Sequence, residues 1–286
     1  MNRLPSGWDN QMTGAIVYLL PYIEQDNQFK LWSFNGVKGN GQAASFWWQD
    51  PLNRPPTTGS DVIPRPPSLI GNVPAPAIYA SEAQMKVLQC PSAKLRTSET
   101  TVILYETYFS GTSADFPPGI SPFSVSFSGA PGRLVVGHSN YVACGGNNGF
   151  GGPGTDDPTY IGLFSYNSRN SLGAVPDGTS NTFMFLEYVG GYVGTAGPPF
   201  DGWWGGAFAM GPIPLEFGMC PDHTNPNCDF NHQGQSWATP GTFHTGNAMQ
   251  VCYGDGSVRR LIVGAVDFGT LLALGGMQDG IVVTSD

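Results

Sequence analysis

FHTGNAMQVCYGDGSVRRLIV, residues 243–263, sets an isolated histidine ahead of two apolar runs joined by Gly-Asp-Gly. Both runs, AMQVCY and SVRRLIV, carry β-branched or aromatic residues, the side chains that fit a pleated, half-buried surface. Asp-Gly between such runs is the strongest short-range hairpin signal, because glycine takes a positive φ freely and aspartate bonds nearby amides. The stretch therefore predicts a C-terminal hairpin over 243–263, turning at Asp255-Gly256. Asp255 is accounted for as a turn residue without catalysis. His244, at the start of the first strand, is expected to cap or bridge loop amides, with a metal or ligand contact as the second reading.

The rest of the chain agrees with a β-rich fold. Of 286 residues, 40% are hydrophobic and only 12% charged, the latter about half the usual share. Glycine (40) and proline (25) are abundant, but 17 Phe, 11 Tyr and 7 Trp are interleaved with them. Disordered chains lack such aromatics, so an ordered, loop-rich domain is expected. Net charge is −9, which repels phosphate backbones and argues against nucleic-acid binding. Neither a membrane-length apolar run nor a signal-peptide pattern is present in the sequence.

TGAIVYLLPYIEQDNQFKLW (13–32) reads as an apolar lead-in capped near Thr13, then a short helix opening at Pro21. Residues 37–80 read as a proline-rich loop, since so many missing amide donors exclude a central strand. Strands are predicted at MKVLQCPSA (85–93), TVILYETYFS (101–110), RLVVGHSNYVACGG (133–146) and TFMFLEYV (182–189). Alternation in the last puts Phe185 and Glu187 on one face. A buried Glu187 needs a partner, for which Arg259, His244 or an amide cluster could serve. The sequence as a whole predicts one α+β domain over 1–286: a short N-terminal helix, then a mostly antiparallel sheet with long Gly/Pro-rich loops.

Taken in order, LLPYIEQ, MKVLQCPS, SNYVACGG, VPDGTSNTFMFLE and FHTG…DGSVRRL resemble the bacterial prepilin-like family called domain of unknown function 1559. Its members end in a segment known as the H-x9-DG motif. The resemblance implies family-motif roles for His244, Asp255, Gly256, Asp177, Gly178 and Glu187. In this chain ten residues, not nine, separate His244 from Asp255. An extra residue within a strand flips side-chain facing unless a bulge absorbs it. The resemblance further implies a pilin- or pseudopilin-like head, extracellular, at the cell surface or periplasmic. Members carry an apolar N-terminal helix that anchors them and packs into a filament. The expected link to the membrane is that helix, here removed or never encoded. Expected partners are other copies or related pilin-like subunits, and surface glycans.

Four further groups of residues bear on ligands. CPDHTNPNCDFNH spaces Cys220, His223, Cys228 and His232 so that Cys220–Cys228 could close a local disulfide, stay as thiols, or join the histidines on zinc. PDGTSNT crowds Asp177, Thr179, Ser180 and Asn181 into a turn. Those oxygens could form Asx- and ST-turns or bind an irregular calcium, the EF-hand spacing being absent. Asp156-Asp157 is a weaker candidate of that kind. Trp203-Trp204 and Trp47-Trp48 could stack on sugar rings or fill the core. Hydrolase, metalloprotease and nucleotide-binding motifs are missing. A non-enzymatic structural protein without a required cofactor is the leading expectation, and an extracellular carbohydrate- or calcium-binding module the alternative.

Overall fold

A computed structural model describes residues 3–9, 11–34, 47, 50, 53, 80–93, 101–109, 119–128, 137–147, 160–165, 167–192, 203–225, 227–228, 236–281 and 283. Two four-stranded sheets dominate it. The first has the order β2-β1-β6-β5, from β1 (Thr101–Phe109), β2 (Gly119–Ser128), β5 (Gly191–Tyr192) and β6 (Trp203–Gly206). The second has the order β3-β4-β7-β8, from β3 (Tyr141–Ala143), β4 (Phe183–Glu187), β7 (Ala248–Tyr253) and β8 (Val258–Ile262). All neighbours are antiparallel except β1 and β6. The α+β class and the antiparallel bias agree with the sequence reading. Pro122 lies on β2, an edge strand, where a missing amide donor is tolerated.

The C-terminal hairpin forms as β7 and β8, and its periodicity explains why. Met249, Val251 and Tyr253 are buried on one face, while Gln250 is exposed between them. The connection differs from a two-residue turn. Tyr253 N–H donates to Ser257 C=O (2.9 Å), and Gly256 N–H donates to Tyr253 C=O (2.9 Å). Three residues therefore close the loop, with Gly256 at φ 83° in the left-handed position that such loops require. The Asp255 carboxylate accepts from Ser257 N–H at 2.8 Å, as an Asx-turn does.

At the N-terminus the apolar lead-in is itself helical. Helix α1 (Ala15–Leu19) runs into a 3₁₀ turn over Leu20–Ile23 with Pro21 in its first turn. Glu24 then takes φ 60° and ends the helical run before α2 (Asp26–Phe29). The residue preceding α1 is Gly14, one position beyond Thr13, and its side chain cannot cap. Packing fixes it there: Gly14 N–H donates to Ala209 C=O at 3.1 Å. A Cβ at Gly14 would stand 1.8 Å from the Met210 carbonyl oxygen.

Three other elements differ from expectation. Residues 86–88 form a 3₁₀ turn, not a strand. Of the predicted strand 133–146, the described residues 137–146 hold one ladder strand, Tyr141–Ala143, with His138 in an isolated bridge to Ala207. Helix α3 (Phe268–Gly275) is capped by Asp267, whose carboxylate accepts from Thr270 N–H at 3.0 Å. The proline-rich stretch 37–80 lies outside the described residues apart from Trp47, Asp50, Asn53 and Ala80. Among these, the Asn53 amide bonds both backbone groups of Ser33, at 2.8 and 2.9 Å.

One core joins the helices to the second sheet through Leu20, Trp32, Trp47, Phe208, Leu186 and Val251. Trp32 meets Trp47 edge-on at 5.4 Å and Phe208 at 5.8 Å, arrangements that ring quadrupoles favour. In the second sheet, β4 pairs with β3 and β7, and a register shift between Phe183 and Phe185 interrupts its alternation. Phe183 and Leu186 are both buried across that shift, and the adjacent Leu186 and Glu187 are buried on opposite faces at the end of the strand. Because the Met210 carbonyl occupies the space a side chain would need, Gly14→Ala should destabilise by about 1–3 kcal/mol. Urea unfolding should show this as a lower midpoint at unchanged slope.

Candidate functional site

The site is built where β4 ends. Glu187 is its last residue, with a side chain only 2% exposed, so its carboxylate must find partners inside the fold. One oxygen, Oε2, accepts from the Gln250 N–H of β7 at 3.0 Å. The other, Oε1, lies 3.1 Å from His244 Nε2. Cys90 Sγ approaches the same Nε2, at 3.4 Å, and Ser92 Oγ lies 3.2 Å from His244 Nδ1. The thiol, the imidazole nitrogen and the carboxylate oxygen fall within 4.8 Å of one another. His244 keeps a third of its side-chain surface exposed, so the cluster borders solvent.

Backbone order explains how residues so distant in sequence converge. Asn140 ties three segments together. Its Oδ1 accepts from Cys90 N–H at 2.9 Å, and its Nδ2 donates to Tyr188 C=O at 3.2 Å. Its own N–H donates to Leu88 C=O at 2.7 Å, and its C=O accepts from Tyr188 N–H at 2.8 Å. Gly241 N–H donates to the Glu187 C=O at 3.1 Å, which brings the 241–247 turn beside β4. Within that turn His244 N–H donates to Thr242 Oγ1 at 3.1 Å. Gly246 and Asn247 follow at φ 73° and 54°. The chain reverses there, so the facing of β7 is set beyond the turn.

Asp255 is not the partner of His244. It sits past the far end of β7, roughly 20 Å away at the rise of an extended strand. Hydrogen bonds from Ser257, and then Arg259, hold its carboxyl below the usual range. Arg259 lies over the Tyr253 ring at 4.2 Å and is 3.8 Å from Asp255. Of the partners expected for Glu187, the structure supplies His244 and a backbone amide. Cys90, Ser92 and Asn140 are members that residue patterns did not single out as site residues. Tyr141 stands opposite Glu187 in the β3–β4 register. Burial raises its pKa, and its electrostatic interaction with the neighbouring Cys90 and Glu187 raises it further.

Among the described residues, Asp177, Gly178 and Trp47 take structural positions. Asp177 Oδ2 accepts from Asp279 N–H at 2.7 Å, and Oδ1 from Gly280 N–H at 2.9 Å. Both carboxylate oxygens of Asp177, the charged member of the calcium reading, thus fasten the segment after α3. Gly178 follows at φ 88°, and its C=O accepts from Thr182 Oγ1 at 3.1 Å. Thr179 C=O accepts from Asp255 N–H at 3.1 Å, so the two Asp-Gly turns meet. Trp47 is fully buried and cannot reach a sugar. Trp203 and Trp204 supply backbone to β6. Trp48, Asp156, Asp157 and His232 lie outside the described residues.

Cys220 and Cys228 are joined as a disulfide, with Cα atoms 5.3 Å apart. That removes both sulfurs from the zinc reading of 220–232. His223 is buried beneath Gly241, where a Cβ would meet its Nε2 at 1.8 Å. Burial pushes its pKa down to about 4.

The family model described as a protein of unknown function, DUF1559, matches residues 1–268. The chain belongs to that family. No curated protein and no solved structure matches it.

His223 makes stability depend on pH with a definite sign. Its folded pKa lies below the unfolded value near 6.5, so the unfolded chain binds the proton first as pH falls. The His223 contribution is intact above about pH 6.5 and is lost progressively towards pH 4. The full loss is roughly 3 kcal/mol, since each tenfold fall in proton affinity on folding is worth about 1.4 kcal/mol. Urea midpoints measured from pH 7 to 4 should fall, and His223→Gln should flatten that part of the curve.

Proposed function

We propose that this chain is the non-enzymatic head of a pilin- or pseudopilin-like surface assembly, working outside the cytoplasm through filament assembly or adhesion. The observation that supports this reading is the Cys220–Cys228 disulfide, because disulfides persist in oxidising compartments and are rare in the cytosol. The bond stands apart from the other thiols. Cys144 is fully buried and its pKa is pushed up to about 12, which suppresses the thiolate that thiol exchange needs. The five ordered motifs of the family contribute the pilin-like part. Family membership covers nearly the whole chain.

Partners on this reading are further copies of the chain or related pilin-like subunits. The acidic surface, at a net charge of −9, disfavours nucleic acid. Among the described residues no helix is long and apolar enough to cross a membrane.

The test is differential alkylation in cells producing the natural gene product, combined with fractionation and native electrophoresis. The expected result is a surface or exported protein in high-mass assemblies, with Cys220 and Cys228 reacting only after reduction. Reduction of the purified chain should then cost about 2–3 kcal/mol, the loop-entropy value for so short a ring. A cytoplasmic, monomeric protein whose Cys220 and Cys228 alkylate without reductant would overturn the proposal.

A further inference from the structure

Cys90, Glu187 and His244 offer three chemically different donors converging on one point, and two kinds of site could use them. In a nucleophile–histidine–acid relay, the nucleophile and the acid hold opposite ring nitrogens of the histidine. Here the thiol and the carboxylate share Nε2 at 3.4 and 3.1 Å, while Nδ1 faces Ser92 Oγ. A Cys90–His244–Glu187 relay is therefore excluded by placement. A Ser92–His244–Glu187 relay would use both nitrogens but leave the thiol beside Nε2 without a role. A chelate uses all four groups.

We infer that Cys90 Sγ, His244 Nε2 and Glu187 Oε1 form a binding site for a single zinc-class divalent cation, with the fourth position open towards solvent. The spacing matches. A tetrahedral ion with Zn–S near 2.3 Å and Zn–N and Zn–O near 2.0 Å sets its donors roughly 3.6 Å apart for S to N, and roughly 3.3 Å for N to O. The corresponding distances are 3.4 and 3.1 Å, and the thiol sulfur and carboxylate oxygen lie within 4.8 Å of each other, so an ion would fit the two contacts to Nε2 closely and draw the sulfur and the carboxylate together by up to about an ångström. Thiolate and imidazole select zinc or cobalt over calcium and magnesium, which take oxygen ligands. Three protein ligands and an open fourth position are the pattern of zinc sites that bind an exogenous group.

The supporting shell is also in place. A zinc-bound histidine ordinarily uses its other ring nitrogen to hold a fixed partner, and a bound carboxylate is itself hydrogen-bonded. Ser92 Oγ fills the first role at 3.2 Å, and Gln250 N–H fills the second at 3.0 Å. The Asn140 amide fixes the Cys90 backbone at 2.9 Å. Binding transfers the Cys90 thiol proton to solvent, leaving a thiolate on the ion. The inference does not depend on the filament reading, since an exported head and a cytoplasmic one would carry the same donors.

The test is titration of the purified, chelator-stripped full chain with Co²⁺, followed in the ultraviolet and visible and by proton release. One equivalent should produce a thiolate-to-cobalt absorption band with about one proton released, and Zn²⁺ should abolish the band by displacement. Cobalt should also protect Cys90 of the unaltered chain from alkylation, read by peptide mapping. Cys90→Ser should eliminate the band, whereas Cys252→Ser should keep it. Ser92→Ala, at an exposed position, should weaken cobalt binding about 10- to 100-fold with the metal-free unfolding midpoint unchanged. No thiolate band in the unaltered chain, no protection of Cys90, or a band that survives Cys90→Ser would each overturn the inference.

Discussion

The carboxylate of Glu187 is the constraint around which the second sheet is assembled. A charged group removed from water costs several kcal/mol unless it is paired and hydrogen-bonded. β4 buries this one at its last residue, where the strand leaves for the first sheet. The cost is offset only if β7 brings the Gln250 amide to one oxygen and the 241–247 turn brings His244 to the other. Register between β4 and β7 and the path of the chain into β7 thus follow from one side chain. The Gly241–Glu187 backbone bond reinforces the same junction.

Asn140 performs a neutral version of this task on the other side of β4. Its side-chain amide and backbone are together bonded to Leu88, Cys90 and Tyr188. Hydrogen bonds in such a network polarise one another and rigidify the groups they join, provided that every member is satisfied. The result holds a cysteine from one loop against a histidine from another, although they are separated by 154 positions. Preorganised donors of this kind are what a binding site needs, because less ordering remains to be done on association.

Much of the frame could be read from residue order, and the failures have identifiable causes. The hairpin was legible because Asp255-Gly256 falls between two runs of β-branched and aromatic residues, and the burial of Met249, Val251 and Tyr253 on one face agrees with it. Glu187 could be picked out as a lone carboxylate in an apolar strand, with His244 among its partners. Its alternation was not legible, since the shift between Phe183 and Phe185 leaves no mark in residue type. The stretch around Lys86–Leu88 has strand-like composition, but Asn140 holds Leu88 and Cys90 on either side of Gln89, and those contacts, not propensity, settle so short a segment. Cys90 offered no signal beyond its place in MKVLQCPS, because a single cysteine between loop residues looks the same whether it packs, bonds or ligates. Helix α3 had a readable start in Asp267 followed by Thr270 and the leucines. The preceding β pattern masked it.

The central claim is that Glu187 and His244 act as a coupled pair at the junction of β4 and the turn before β7. A double-mutant cycle with Glu187→Gln and His244→Gln, read by urea unfolding of the metal-free chain, measures that coupling directly. The account predicts an interaction energy of about 0.5–3 kcal/mol between the two sites. Effects that add to within about 0.3 kcal/mol would show that the two side chains do not depend on each other, and would contradict it.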